Sequence, residues 1–376
     1  MKCLRPQVAL TVQSESTKER RLRKLRRELE AIEFPEEYQL PLDPDMVACG
    51  IKVDKCRVME SKKKPLWLNF IPPGDGGSFP VMFKAGDDLR QDQLTLQVLG
   101  IMNKMWLEEG LDLCMSPYLC ISTGDEKGML QVVQNSETLA SIVGEYGIRS
   151  GKNKKPEAKK GANKGKSGRK MGAALDALYD TSALLNWLRH HNSEPEGSPD
   201  GAEPRLDDAR RRFMLSCAGY CVATFVLGIG DRHNDNIMMK RTGELFHIDF
   251  GHFLGNFKSK YGIKRETAPF VFTPSMAVVL GGIDSELFAE FEYTACRAFL
   301  VLRRHTRLLV TLFSLMLSCG IPELQRESDI MYLRDRLVIH LTEEEAKTYF
   351  SGHIHKCLGD RMTTLNDAIH LYAHTS

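Results

Sequence analysis

The sequence predicts an α+β fold with two lobes, a small N-lobe rich in antiparallel strands and a larger C-lobe that is mainly helical. A chain of 376 residues is long for a single hydrophobic core and fits two. Short segments that alternate apolar and polar residues occupy much of 51–133. Segments with helical periodicity dominate after residue 206. We therefore expect a helical end and linker in 1–50, the N-lobe in 51–133 and the C-lobe in 134–376.

The first element expected is an amphipathic helix within 16–33, which Ser16 or Thr17 can cap. Leucines and an isoleucine recur on one face of this helix, and Lys and Arg fill the other faces. The basic face could bind a membrane, although a solvated face on a packed helix is the favoured interpretation. Three prolines between residues 35 and 44 then predict an extended linker.

Five strands and one helix are expected in the N-lobe. The strands are predicted, in chain order, at Lys52–Met59, Leu66–Phe70, Val81–Ala85, Tyr118–Thr123 and Met129–Val133. The helix is predicted over Asp88–Glu109, between the third and fourth strands. A hinge to the second lobe is expected near Gln131–Val133.

The C-lobe pattern is helical. Helices are expected at 206–228, 284–302, 304–319, 326–338 and 342–357. Two apolar runs, Cys217–Gly230 and Leu308–Ile321, contain 14 residues each. A membrane span needs about 20 residues, so both runs are predicted to be buried helices.

Two inserts interrupt this lobe. Residues 150–170 hold almost no large apolar side chain and are predicted to be a disordered basic insert, whereas 191–205 are predicted to form an acidic loop. Within 151–170, nine Lys or Arg accompany one acid, so this segment contributes +8 to a net charge of only +2. The rest of the chain is therefore acidic, and its charge offers no argument for binding nucleic acid.

Composition indicates a soluble globular protein, with 42% hydrophobic and 27% charged residues. The ten cysteines form no Cys-x-x-Cys pair, and the N-terminus is too polar for a secretory signal. A reducing, cytoplasmic setting therefore fits better than a disulfide framework or a zinc site.

The most informative segment is Gly230–Met238, with the sequence Gly-Asp-Arg-His-Asn-Asp-Asn-Ile-Met, followed by Asp-Phe-Gly at 249–251. An Asn and an Asp at this separation can lie on two facing β-segments and direct their oxygens to one Mg²⁺–nucleotide complex. Mg²⁺ needs only one or two protein oxygens, so Asn236 and Asp249 are the predicted metal ligands. A turn would be the simpler interpretation of an isolated Asp-Phe-Gly, and the paired Asn favours the metal.

His233 is the candidate general base, because a neutral imidazole can accept the proton that a substrate hydroxyl loses when it attacks a phosphate. The alternative is a structural histidine that stabilises its loop. Asp231 could be a second proton acceptor or could orient the base. Arg232 belongs to the same catalytic loop, where anchoring is its expected role.

Lys84 ends an apolar strand, which is the context in which kinases place the lysine that pairs with the α- and β-phosphates. A lysine at a strand end is often only a surface residue. Asp92 is its expected partner within the nucleotide pocket. No Gly-x-Gly-x-x-Gly loop is present, but Ser61 and the three lysines at 62–64 lie between the first two predicted strands, and their hydroxyl and ammonium groups can hold phosphates instead.

The order Asp-Arg-His at 231–233 is inverted relative to the His-Arg-Asp of protein kinases, and it is typical of the phosphoinositide 3-kinase superfamily. The motifs together resemble the kinase domain of class I phosphoinositide 3-kinase catalytic subunits, most closely the gamma (class IB) type, over roughly 16–357 apart from the basic insert. The segments that carry this resemblance are Ser61–Trp67, Phe83–Asp92, Ser216–Met238, Phe246–Asn256 and Pro269–Pro274.

This resemblance implies a two-lobed protein-kinase-like fold and an enzyme that uses ATP with Mg²⁺. The implied reaction is phosphorylation of the inositol 3-hydroxyl of phosphoinositides, preferentially phosphatidylinositol 4,5-bisphosphate, to give the 3,4,5-trisphosphate in signalling. The implied ATP-binding residues contact the phosphates, roof the adenine, form the hinge or line the pocket. They are Met59, Ser61, Lys63, Pro65, Trp67, Lys84, Asp92, Tyr118, Gln131, Val132, Val133, Met238, Phe246 and Ile248.

The lipid is expected to be selected by the activation segment, at about 249–275. This segment contains four cations that could bind the 4- and 5-phosphates of a headgroup, since charge-assisted contacts are the strong ones. A solvated loop is the alternative. The four residues are Lys258, Lys260, Lys264 and Arg265.

Two departures from the class I pattern affect the expected partners. Class I enzymes typically end in a helix with two Trp residues, where this chain has Arg361 and Asp367, so 362–376 looks poorly suited to insert into a bilayer. The expected Ras-binding, C2 and helical domains are also missing upstream, so the sequence is interpreted as a fragment, a short isoform or an incomplete gene product. A regulatory subunit, G-protein βγ or Ras would bind through those regions. The expected location is cytoplasmic and peripheral at the plasma membrane.

Two alternatives stay open. A large protein Ser/Thr kinase of the same superfamily shares the Asp-Arg-His order, but the basic activation segment argues against it. A truncated, inactive scaffold copy fits the missing upstream domains, but intact Lys84, Asp231, His233, Asn236 and Asp249 oppose it. No residue decides by physics alone between the 3- and the 4-hydroxyl.

Overall fold

The computed structural model describes residues 6–74, 77–147, 181–193, 203–256, 259–260, 263–264 and 268–359. The contacts divide the chain into two compact units. Unit 1 comprises 1–98 and 117–134, and unit 2 comprises 99–116 and 135–376. The predicted basic insert at 150–170 lies outside the described residues, as do 194–202 of the predicted loop at 191–205.

Unit 1 begins with two helices, α1 (Pro6–Gln13) and α2 (Lys18–Glu30). The Thr17 hydroxyl caps α2 by accepting a backbone N–H of its first turn, and Leu25 and Leu29 are buried on its inner face. The predicted amphipathic helix is therefore confirmed. The short helix α1 was not predicted, because eight residues carry too little periodicity to distinguish a helix from a strand.

The strands of unit 1 form an antiparallel sheet and a separate two-stranded ribbon. The ribbon pairs β1 (Tyr38–Leu40) with β2 (Asp43–Ala48), within the segment predicted as an extended linker. The sheet contains β3 (Gly50–Ile51), β4 (Arg57–Val58), β5 (Leu66–Ile71), β6 (Phe79–Ala85), β7 (Cys120–Gly124) and β8 (Lys127–Gln131). Four of the five predicted strands are confirmed, with ends shifted by one or two residues.

The strand predicted at Lys52–Met59 is wrong as a continuous element. Both β3 and β4 pair with β5, but the register advances by three residues between them. Those three residues, Val53–Lys55, form a 3₁₀ turn. The side-chain amide of Asn69 donates to the Lys55 carbonyl at 2.8 Å, which closes the turn against β5.

The two faces of this sheet differ in their surroundings. One face is buried against α1 and α2. Its core contains Ala9, Val12, Leu25, Leu29, Val58, Leu66, Leu68, Phe70, Val81, Phe83, Ala85 and Met129. Because side chains alternate along a strand, Trp67, Met82 and Lys84 lie together on the opposite face, where Trp67 and Met82 are directly paired across β5 and β6.

Helix α3 (Arg90–Glu108) confirms the helix predicted after the third strand, and its second half belongs to unit 2. There the Trp106 indole donates to the Ala298 carbonyl at 3.0 Å. A three-stranded sheet of unit 2 places β10 (Ile237–Lys240) between β9 (Ser136–Thr138) and β11 (Leu245–His247).

Helices make up most of the remaining residues that the structure describes in unit 2. They are α4 (Leu139–Ile142) with a π-helical turn at Val143–Gly147, α5 (Ala183–Asn192), α6 (Glu203–Leu227), α7 (Pro274–Val279), α8 (Glu286–Arg304), α9 (Thr306–Met316), α10 (Glu327–Arg336) and α11 (Glu343–Leu358). All five predicted C-lobe helices are present. A small ribbon pairs β12 (Ser259–Lys260) with β13 (Ile263–Lys264).

The core of unit 2 forms around α6. The apolar run Cys217–Gly230 is buried, as predicted. The run Leu308–Ile321 was also predicted to be a buried helix, and that is wrong. Helix α9 buries Leu309 and Phe313, whereas Leu308 is 46% and Leu315 69% exposed, because a surface helix packs only one of its faces. In the described part of the chain, no helix is long and apolar enough to cross a membrane.

His353 on α11 gives the unit 2 core a predicted dependence on pH. Its ring lies 5.0 Å from Phe225 and 4.6 Å from Tyr349, and burial, with smaller contributions from Arg336 and Lys356, lowers its pKa from 6.5 to about 4. The unfolded chain therefore binds a proton more readily than the folded chain. Stability should be complete above pH 6.5 and should fall as the pH drops towards 4.

The measurement is the apparent Tm of the chain across this pH range. His353→Gln should flatten the decrease, because the substituted side chain no longer titrates. The exposed His340→Gln is the matched control and should leave the slope unchanged. An equal slope in wild type and His353→Gln would contradict the assignment.

Candidate active site

The hairpin of β10 and β11 places the two predicted metal ligands at its open end. Ile237 pairs with His247, and the next pair outward is joined by a bond from the Ile248 N–H to the Asn236 carbonyl at 3.0 Å. Asp249 follows Ile248 directly. Asn236 and Asp249 are therefore neighbours across the end of one hairpin, although twelve residues separate them in the chain.

The orientation of the Asn236 amide is fixed by its nitrogen. This nitrogen donates to the Asp231 carbonyl at 2.9 Å and lies 3.1 Å from His233 Nε2, so Oδ1 is on the other side of the amide group. Asn236 is 8% exposed, whereas Asp249 is exposed and adopts φ +61°. One amide oxygen and one carboxylate are the kinds of ligand that Mg²⁺ prefers, so the donor set fits this ion.

Arg232 connects the catalytic loop to the start of the Asp-Phe-Gly segment. Its guanidinium donates to the Gly230 carbonyl at 2.9 Å, to the Ile248 carbonyl at 2.7 Å and to the Asp249 carbonyl. Arg232 is 8% exposed, and its guanidinium lies 5.7 Å from the centre of the Phe250 ring. These contacts with peptide oxygens make it an anchor of the loop.

His233 is held within its own loop. Its Nδ1 accepts a bond from the Asp235 backbone N–H at 3.2 Å, and its Nε2 faces the Asn236 amide nitrogen. These two contacts hold the imidazole ring in one orientation within the loop. The role of His233 as a general base stays a prediction.

A second set of backbone bonds joins the end of α6 to the residues that follow Asp-Phe-Gly. The Gly230 N–H donates to His252 O at 3.0 Å, and the Leu254 N–H donates to Leu227 O at 2.7 Å. Gly228 and Gly255 have φ of +57° and +78°, and a Cβ on either would lie within 2.4 Å of the Tyr332 ring. The ring needs both glycines.

Glu323 is a site-supporting residue that the sequence reasoning missed. Its carboxylate accepts the Phe253 N–H at 2.7 Å and contacts His252 Nδ1 at 2.7 Å. Glu323 lies seventy positions after Phe253, and no local motif marks it. Tyr332 was missed for the same reason, although its two glycine partners are visible in the sequence.

The predicted ATP-binding residues of unit 1 include Trp67 and Lys84, which lie on the face of the sheet opposite α1 and α2. The Arg57 guanidinium lies 4.4 Å from the centre of the Trp67 ring, which adds a stacked cation to the predicted roof. Lys84 forms an ion pair with Asp87 at 3.2 Å that was not predicted.

Asp92 and Lys84 both influence the thiol of Cys120. Burial is the main cause that raises the pKa of Cys120 to about 12; the Asp92 carboxylate raises it further and the Lys84 ammonium lowers it. Asp92 is itself buried, at 5% exposure. The predicted partnership of Lys84 with Asp92 stays a prediction.

The residues between β4 and β5, Met59–Pro65, form the β4–β5 loop. The Met59 N–H donates to Pro65 O at 2.8 Å, and the Lys64 N–H donates to Ser61 O at 3.0 Å, which closes a tight turn. Ser61 and Lys63 are exposed, and the Lys63 ammonium donates to the Gly86 carbonyl. Pro65 is buried, and Met59 is half-buried.

The predicted hinge and pocket residues differ in exposure. The Gln131 side chain accepts the Leu119 N–H at 3.0 Å, so it closes the end of β7 and β8. Val132, Val133, Met238 and Ile248 are half-buried, whereas Tyr118 and Phe246 are buried, with exposures of 6% and 1%.

Of the four predicted headgroup cations, two lie in the β12–β13 ribbon. Lys264 pairs with Ser259, and Lys260 pairs with Ile263, through their backbones. Lys258 and Arg265 lie outside the described residues.

The antiparallel sheet, the helical unit and the Asn–Asp pair at the end of a hairpin define a kinase-like catalytic domain. Residues 78–326, more than half of the chain, match the family described as Phosphatidylinositol 3- and 4-kinase. The chain belongs to this family.

Curated relatives support the same assignment. Phosphatidylinositol 3-kinase 2 of Dictyostelium discoideum is 47% identical over 369 residues, which cover 98% of this chain and 18% of the relative. Phosphatidylinositol 3-kinase 1 of Dictyostelium discoideum is 44% identical over 349 residues, which cover 93% and 20%.

A human relative, phosphatidylinositol 4-phosphate 3-kinase C2 domain-containing subunit beta, is 43% identical over 336 residues, which cover 88% of this chain and 18% of the relative. The chain thus spans a fifth or less of the length of these relatives. Together they support phosphatidylinositol 3-kinases in general and do not single out the gamma (class IB) type.

We predict that Arg232→Lys loosens the catalytic loop while leaving the fold intact. Lysine carries its three N–H donors on one nitrogen, so it cannot reach the three carbonyls that the planar guanidinium spans. The apparent Tm should fall by several degrees, and amide hydrogen exchange should accelerate in 230–255 more than elsewhere. Arg241→Lys, at an exposed position after β10, is the control. Exchange that is unchanged in 230–255 would refute the anchoring role.

Proposed function

We propose that this chain is an ATP-dependent lipid kinase module that transfers the γ-phosphoryl group to the inositol 3-hydroxyl of phosphoinositides. The observation that carries the proposal is the convergence of Asn236 and Asp249 at the open end of the β10–β11 hairpin. Phosphoryl transfer depends mainly on positioning and on neutralising phosphate charge, and an oxygen pair of this kind provides a place for the cation. The relatives named as 3-kinases support the 3-position.

Each residue near the hairpin has a defined task in this proposal. Asn236 and Asp249 would hold Mg²⁺, which supplies charge neutralisation at the ATP phosphates when bound. His233 accepts the proton of the inositol hydroxyl, and Asp231 orients it or takes the proton in turn. Arg232 holds the backbone at Gly230 and the backbone at Ile248 and Asp249 at a fixed distance from each other.

The residues of unit 1 bind the nucleotide. Lys84 contacts the α-phosphate, and Ser61 and Lys63 contact the outer phosphates with charge-assisted bonds. Trp67 covers the adenine, and the backbone around Val132 hydrogen-bonds its edge. Lys63 is exposed, so its ammonium can exchange the Gly86 carbonyl for a phosphate oxygen.

The preferred lipid is phosphatidylinositol 4,5-bisphosphate, as in the class I gamma-type pattern. Four cations in the activation segment support this preference, because each phosphate of the headgroup needs a positive partner. The name of the human relative specifies phosphatidylinositol 4-phosphate, so this lipid is the competing substrate. The proposed location is cytoplasmic and peripheral at the plasma membrane, and the proposed protein partners are a regulatory subunit, G-protein βγ or Ras.

The deciding assay combines the purified chain, labelled ATP, vesicles of defined lipid composition and a generic protein substrate. Label in the lipid at the 3-position supports the proposal, and headgroup analysis distinguishes it from the 4-position. Label in the protein substrate alone would support a superfamily protein kinase. Binding of ATP without transfer would support an inactive scaffold copy.

Asp249→Asn and Asn236→Ala should each lower kcat by about 10²–10³-fold, which is typical when one preorganised electrostatic contact is removed. The Mg²⁺ concentration needed for half-maximal activity should rise at the same time. Asp284→Asn makes the same chemical change at an exposed position and should alter neither quantity. Wild-type Mg²⁺ dependence in Asp249→Asn would rule out its ligand role.

Neutralising Lys258 and Lys264 with Gln should selectively reduce phosphorylation of phosphatidylinositol 4,5-bisphosphate. Plain phosphatidylinositol carries no ring phosphate, so its rate should change little. The ratio of the two rates in mixed vesicles is the measurement. A matched Lys104→Gln variant, on α3, should keep the wild-type ratio. An unchanged ratio in the Lys258/Lys264 variant would exclude these cations as the selectivity determinant.

A further inference from the structure

The β4–β5 loop is attached to Gln13, the last residue of α1. The Gln13 amide nitrogen donates to the carbonyl of Lys63 at 3.0 Å, to that of Lys64 at 3.2 Å and, more weakly, to that of Ala85 at 3.4 Å. The Lys64 ammonium returns a bond to the Gln13 carbonyl at 3.1 Å. Gln13 therefore joins the loop to the end of β6 from fifty positions away.

A second contact holds the other end of the same loop. The Arg21 guanidinium of α2 contacts both carboxylate oxygens of Glu60 at 3.3 Å. Arg21 also donates to the carbonyls of Glu15 and Ser16, in the turn between α1 and α2. Glu60 is half exposed, so this pair is a weaker restraint than the amide contacts of Gln13.

The loop needs external restraint because its sequence contains no glycine. Residues 59–65 read Met-Glu-Ser-Lys-Lys-Lys-Pro. Lys64 adopts φ +46°, a conformation that is strained for a residue with a side chain. The bonds to and from Gln13 meet at this residue. These bonds stabilise the strained turn and fix the direction in which the Lys63 side chain extends from the loop.

We infer that Gln13 is a positioning residue for nucleotide phosphates, acting through the β4–β5 loop and the side chain of Lys63. The inference rests on the proposed function, because it takes Ser61 and Lys63 as phosphate contacts. It adds that α1, which precedes the sheet, controls the affinity for ATP. A displacement of α1 would release the loop and weaken phosphate binding while leaving the adenine contacts in place.

The test uses the full 376-residue chain and Gln13→Met, which keeps the length of the side chain and removes its donors. Calorimetry with Mg²⁺ and a nonhydrolysable ATP analogue should show an affinity about 3- to 10-fold weaker, the factor that corresponds to about one net hydrogen bond. Adenosine affinity, measured by competition, should not change. KM for ATP should rise by a similar factor, with kcat for lipid unchanged.

Two comparisons separate positioning from a general loss of stability. Ser14 directly follows α1, and its hydroxyl donates to the Thr11 carbonyl at 2.8 Å rather than to the β4–β5 loop. The Ser14→Ala variant should therefore bind the analogue like wild type. In a Lys63→Met background, Gln13→Met should have little further effect, because the residue through which it acts is gone.

Equal weakening of adenosine and analogue binding, or full additivity with Lys63→Met, would overturn the inference. Wild-type affinity in Gln13→Met would also overturn it. A wild-type chain that binds the analogue but phosphorylates no lipid would remove the proposed function and leave the role of Gln13 standing. A wild-type chain that binds no nucleotide would remove both.

Discussion

The arrangement of the candidate active site depends on the hydrogen bonds that the Arg232 guanidinium donates to backbone carbonyls. Asp231 and Asp249 both adopt positive φ, which costs about 1–3 kcal/mol for each residue. Arg232 donates to the carbonyls of Gly230, Ile248 and Asp249, so it holds the backbone beside both strained residues. A bond from a charged donor contributes about 1.5–3 kcal/mol, so three of them can offset the strain. One buried arginine thus stabilises the strained backbone conformations of Asp231 and Asp249.

The two units restrain their functional loops by different means. In unit 2, glycines provide the close approach, because Gly228 and Gly255 admit the Tyr332 ring where any Cβ would clash. In unit 1, the β4–β5 loop has no glycine, and side chains from outside it provide the restraint. A glycine-rich loop can adapt to a phosphate by moving its backbone, whereas a loop held by side chains must be formed correctly in advance. Its shape therefore depends on helices that lie outside the sheet.

Much of the fold could be predicted because its signals are local. Alternation predicted β5 and β6, and periodicity predicted α3 and α6, since both patterns repeat within one element. The pairing of Asn236 with Asp249 was also accessible, because a single hairpin joins them. The turn at Val53–Lys55 was missed because the change of register becomes visible only when β3 and β4 are both paired with β5. Glu323 and Gln13 were missed because they act about seventy and fifty positions away in the chain, where no spacing rule applies.

The kinase family can be predicted from the sequence more readily than the class of phosphoinositide 3-kinase within it. The Asp-Arg-His loop, the Asn and the Asp-Phe-Gly report the chemistry of phosphoryl transfer, which every kinase of this family must perform. The proposed choice of lipid depends instead on charges in the activation segment, and such charges can change without altering the catalytic motifs. Relatives from Dictyostelium and human match the chain at 47% and 43% identity, respectively, so shared motifs cannot separate their substrates. Selectivity therefore has to be argued from Lys258, Lys260, Lys264 and Arg265 rather than from the catalytic loop.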